Sequence, residues 1–91
     1  MAFEGMDVDA VTGIYNQMNG LSQQLQSIVT SMPNLVSQLE GAWKGPDAQQ
    51  FAAQWPSHQA QLQNALNSIQ DICHHTLANV QQQEQASNNY A

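Results

Sequence analysis

The chain has 91 residues, a formal net charge of −6 and only 9% charged residues, against about 25% in ordinary globular chains. The length allows one domain. Lys44 is the only base, which argues against nucleic acid and against an anionic membrane surface, because both need several cations in reach of phosphate. No stretch approaches the ~20 apolar residues of a membrane span. The first residues carry neither the basic region nor the apolar core of an ordinary secretory signal.

Residues 1–6 read as an irregular lead, with Asp7 or Asp9 as helix cap. From there the apolar residues become regular. Val11, Ile14, Met18, Leu21, Leu25, Ile28, Met32, Leu35 and Leu39 follow one another in alternating steps of three and four, which is the seam of a heptad helix. A second row, Val8, Tyr15, Val29 and Val36, runs beside it, interrupted by Ser22. A face this wide belongs to a helix that packs on more than one neighbour. Pro33 lies inside the run; the heptad passes through it in register, so a kink is expected rather than a break, the alternative being a helix that restarts at Pro33 with Ser31 or Met32 as cap.

The stretch 41–47 reads as stop, turn and start. Gly41 can adopt the left-handed conformation that ends a helix. Pro46 suits a first helical position, and Asp47 places a negative charge where the helix dipole favours it. Trp43, a large ring in a connection, needs a packing partner. It is either a cap over the end of its own helices or a recognition group displayed at the tip.

The second run starts at Pro46. Phe51, Trp55, Leu62, Ile69 and Ile72 continue the seam together with Ala48, His58, Ala65 and Thr76. Ala52, Leu66, Cys73 and Val80 form the flanking row. Pro56 is a second kink candidate. The apolar pattern stops after Glu84, and residues 87–91 read as a flexible tail. Helices over about 7–40 and about 46–86 joined by a turn at 41–46 predict an all-α, antiparallel helix-turn-helix hairpin. Two helices cannot cover two wide apolar stripes between them, and so small a chain has little stability in hand. The hairpin is therefore expected to dimerise into a four-helix bundle. With one base per chain, side-chain shape rather than charge pairing must select the partner.

No catalytic arrangement and no cofactor site emerge from the sequence. It has no glycine-rich phosphate loop, no credible Ser/His/Asp set and no pair of CxxC units. Cys73 stands alone, which rules out an internal disulfide, and reads as a small buried hydrophobe. Asp71, Cys73, His74 and His75 are the nearest approach to a metal cluster. Adjacent helix positions point about 100° apart, so His74 and His75 do not share an ion easily, and Asp71 with either one gives only two ligands. No metal is expected. His58, at a seam position, reads as a hydrogen-bonded, partly buried histidine or as a pH-sensitive contact.

Taken together, the length, the two heptad helices and the central Trp43-Lys44-Gly45-Pro46-Asp47-Ala48 followed by Phe51 and Trp55 resemble the WXG100, or ESAT-6-like, family, and its actinobacterial members in particular. The resemblance covers essentially the whole chain. It implies a non-enzymatic protein exported by a type VII (ESX) secretion system as a folded dimer, without a cleaved signal peptide. It also implies recognition by a membrane-bound ATPase of the FtsK/SpoIIIE type. A homodimer is expected, with a heterodimer with a paired WXG100 protein as the alternative. In this family the export signal joins the Trp-x-Gly turn, here Trp43 and Gly45, to a C-terminal Tyr-x-x-x-Asp/Glu of the partner chain. This chain departs from it: Val80 and Glu84 keep the spacing and the acid but lack the tyrosine. A cytoplasmic helical adaptor or chaperone for a larger, co-exported partner is the competing reading.

Overall fold

A computed structural model describes the backbone of residues 5–89 and the side chains of residues 5–86. Two helices, α1 (Val8–Ala42) and α2 (Pro46–Asn89), are joined by Trp43, Lys44 and Gly45. Gly5 lies beside the Gln83 carboxamide at one end and Trp43 beside Phe51 at the other, so the helices run antiparallel. The expected all-α hairpin is the fold, drawn out into a rod 68 × 21 × 16 Å.

Local chemistry sets the ends of the helices. Asp7 has extended backbone (φ −78°, ψ 96°), and its side chain accepts a hydrogen bond from the Ala10 N–H at 3.2 Å. Its carbonyl accepts from the Val11 N–H at 2.9 Å. Asp7 is thus the cap, and Asp9 follows in the first turn, where the dipole favours its charge. At the other end of α1 the expectation for Gly41 fails. Gly41 and Ala42 are still helical, and the left-handed glycine of the turn is Gly45, at φ +116°. A glycine inside a helix costs only about 1 kcal/mol relative to alanine, too little to stop α1. The chain leaves the helix at Trp43, whose backbone is extended. Pro46 keeps the residue before it out of the helical region, and that residue, Gly45, accepts on its carbonyl the first bond of α2 from the Gln49 N–H at 3.1 Å.

Pro33 and Pro56 both lie inside continuous helices; each leaves one carbonyl, four residues earlier, without its usual donor. α2 also runs past Glu84 to Asn89, so residues 87–89 are helix rather than tail. Glutamine is a good helix former, and the run Gln81-Gln82-Gln83-Glu84-Gln85 carries the helix on after its apolar face has ended. Tyr90 and Ala91 of the expected tail lie outside the described residues.

The two helices meet through the flanking rows rather than through the middle of the seam. Ser22 and Val36 are the buried residues of α1. Ala48, Leu66, Cys73 and Val80 are those of α2. Val11, Met18, Leu25 and Met32 on α1, with Phe51, Trp55, Leu62 and Ile69 on α2, are half-buried beside them. Of the remaining seam residues, Ile14, Leu21, Ile28, Leu35 and Leu39 on α1 and His58, Ala65 and Ile72 on α2 are exposed, Leu21 to 60% of its surface, while Thr76 is half-buried. Side-chain hydrogen bonds among the described residues stay within one helix or its cap, as in Thr30 Oγ1 to the Gln26 carbonyl at 2.9 Å and Gln63 to Asn67 at 3.1 Å. Apolar packing is therefore what joins α1 to α2, and it uses only part of the apolar surface. A folded monomer of 10.0 kDa exposes about 5,200 Å² by the usual size scaling; this rod exposes 6851 Å². No helix among the described residues is long and apolar enough to cross a membrane.

Candidate functional site

The tip of the hairpin concentrates the unusual residues. α1 ends on Trp43, which is extended (φ −124°, ψ 123°), so its ring leaves the helical path and turns back over the start of α2. There it packs on Phe51, with ring centroids 5.8 Å apart and planes tilted by 48°, a geometry that suits the ring quadrupoles. Even so, 38% of its surface stays open. Trp43 thus packs over the hairpin end while remaining part-exposed at its tip.

Lys44 lies next to it and donates from Nζ to the Glu40 carbonyl at 3.3 Å. This satisfies one of the carbonyls that a helix end leaves free, and it sets a cation against the negative end of the α1 dipole. Trp43, Lys44, Gly45 and Glu40, with Ala48 and Gln49 from α2, line a shallow cleft of about 290 Å³.

Gly45 needs its glycine for backbone reasons alone. A Cβ placed there would meet no atom within 4 Å, but φ is +116°. A side chain would be strained in that conformation by about 1–3 kcal/mol. Gly45→Ala is therefore expected to lower hairpin stability by that amount, read as a drop in the urea midpoint with an unchanged m-value. Gly41→Ala, at a helical position with open space around it, is expected to raise stability by a few tenths to 1 kcal/mol.

Val80 and Glu84 sit at the far end, separated from the tip by some 35 residues of α2, or about 50 Å. Their environments differ. Val80 is 4% exposed, packed inside the hairpin, whereas Glu84 is exposed. Only the carboxylate of this pair is available to another molecule. Trp43 and Glu84 cannot act together within one chain.

Asp71, His74 and His75 are exposed and Cys73 is buried. Among the described residues no group of three or more His, Cys, Asp or Glu is placed to hold a metal ion. His58 is exposed, not partly buried as its seam position suggested.

No curated protein and no solved structure matches the chain. A family model does: residues 5–85 match WXG100, proteins of 100 residues with WXG. With a Trp-x-Gly turn whose glycine is required by its backbone angle, between two heptad helices in a hairpin, this chain belongs to the WXG100 family.

Proposed function

We propose that this chain is a non-enzymatic substrate of a type VII (ESX) secretion system, made in the cytoplasm and exported as a folded dimer. Membership of the WXG100 family fits a small secreted protein of this kind. The observation that carries the reading is the half-open Trp43 at the tip, with the exposed apolar row of α1 leading up to it through Leu35 and Leu39. A hairpin that, among the described residues, buries no large side chain completely and leaves seven large apolar groups exposed suits life as one half of a four-helix bundle. Its seam residues would meet their counterparts on the second chain, whether a copy of itself or a paired WXG100 protein.

The length of the rod supports a signal shared between two chains. Trp43 and Gly45 lie at one end and Glu84 at the other, so only an antiparallel partner brings a tip beside a C-terminal acid. In a homodimer this would happen at both ends. Burial of Val80 leaves Glu84 and the exposed Gln81 and Gln85 as the surface offered there. An FtsK/SpoIIIE-type ATPase would read the composite.

Trp43→Ala tests this directly. The ring is anchored only at the tip, so the variant is expected to keep wild-type helicity and dimer mass by circular dichroism and light scattering. Export to the culture medium, measured by immunoblot of the cell and medium fractions, is expected to fall to background. Export of the variant at the wild-type level would overturn the recognition role of Trp43, and a wild-type chain that never reaches the medium would favour a helical adaptor that stays in the cytoplasm.

A further inference from the structure

The face of the hairpin opposite the exposed apolar row carries a groove of about 590 Å³ between the helices. That is within the range of about 300–1,000 Å³ typical of small-ligand sites. Its floor is Ser22 and Cys73, both buried, and Tyr15 and Leu77 are half-buried in its walls. Four carboxamides surround it: Asn19, Gln23 and Gln26 from α1, and Gln70 from α2. Asp71 and His74 complete the rim. None of the exposed apolar residues of α1 lines it, so a bundle formed through that row leaves the groove open on its outside.

The donor set narrows the ligand. The groove contains no Lys or Arg, in a chain whose only base lies at the distant tip, which disfavours phosphates and carboxylates. A carboxamide offers two donors and two acceptor positions at once, matching a hydroxyl, which both donates and accepts. Four of them, one carboxylate and a half-buried aromatic ring suit a neutral ligand with many hydroxyls and one apolar C–H face. We propose that this groove binds a short neutral oligosaccharide, with the Tyr15 ring under a sugar face and Asn19, Gln70 and Asp71 bonding its hydroxyls. The proposal is independent of the route by which the protein leaves the cell.

The full chain, labelled with nitrogen-15, is titrated by NMR with maltotriose, cellotriose and chitotriose. At least one trisaccharide is expected to bind saturably, moving the side-chain amides of Asn19, Gln23, Gln26 and Gln70 and leaving those of Gln49, Gln59 and Gln81 in place. Asn19→Ala with Gln70→Ala is expected to weaken binding about tenfold or more, since each lost hydrogen bond is worth about 1 kcal/mol. Helicity and mass should not change. Tyr15→Leu, which keeps the wall apolar, is expected to abolish the selectivity among the three sugars. The proposal is overturned if none of them binds, if the shifts scatter over the whole glutamine-rich surface, or if spermidine displaces the sugar and moves the same amides more strongly.

Discussion

A chain carrying Leu21→Glu and Ile28→Glu is expected to run as a helical monomer in light scattering at concentrations where the wild type runs at twice 10.0 kDa. Both side chains lie in the open row of α1, among the most exposed large apolar residues of the hairpin. Within a single chain neither supports anything, and surface substitutions of this kind normally change stability by less than about 0.5 kcal/mol. In a bundle closed through this row the same changes act twice, once per copy. Each removes the burial of a Leu or Ile, worth about 1.5–3 kcal/mol. Each also brings a carboxylate into an apolar contact with almost no base nearby, a penalty of several kcal/mol per ion. The chain has one lysine, at the tip, and no arginine, so no Lys or Arg of a second copy lies beside the middle of this row to pair the new charges. A doubly substituted chain that still dimerises at wild-type strength would remove this row from the interface. A wild type that stays monomeric when concentrated would remove the homodimer and leave only a bundle formed with a second, paired chain.

The heptad pattern made the two helices and their order legible, because a repeat of three and four admits no other regular structure. It also gave the width of the apolar face. It did not say which part of that face the covalently tied neighbour would take. Ser22 shows why. As the polar break in the flanking row it reads as an interruption, yet it is 5% exposed and lies in the groove beside Cys73. The turn itself rests on the extended backbone of Trp43 and the positive φ of Gly45. Neither is visible as periodicity. Gly41 was the more obvious stop, because glycine after an apolar run is the usual end of a helix, but α1 leaves the helical conformation two residues later, at Trp43. The carboxamide groove was equally hidden. Asn19, Gln23 and Gln26 look like a solvated face in the sequence, and only the antiparallel register sets them opposite Gln70 and Asp71. Trp43, by contrast, stood out because a large ring in a turn has few explanations.

Leu66→Ala is expected to be the most damaging single substitution inside the hairpin, lowering unfolding free energy by about 2–5 kcal/mol. Leu66 is 4% exposed and the largest of the few buried apolar side chains. It lies midway along α2, where the tip and the open end are both too distant to compensate. A chain of this length has a stability of roughly 5–14 kcal/mol at the usual value per residue, so one cavity removes a large share of it. The substitution also separates the two roles of the apolar residues. Leu66 belongs to the contact between α1 and α2, so its loss should lower the urea midpoint even when the protein is diluted below the dimer dissociation constant. Leu21→Ala, in the open row, should leave that diluted midpoint unchanged and weaken only the concentration-dependent part of the curve. If Leu66→Ala proved as mild as Leu21→Ala under dilution, the helices would not be packed through their flanking rows, and the assignment of one apolar face to the hairpin and the other to a second chain would have to be reversed.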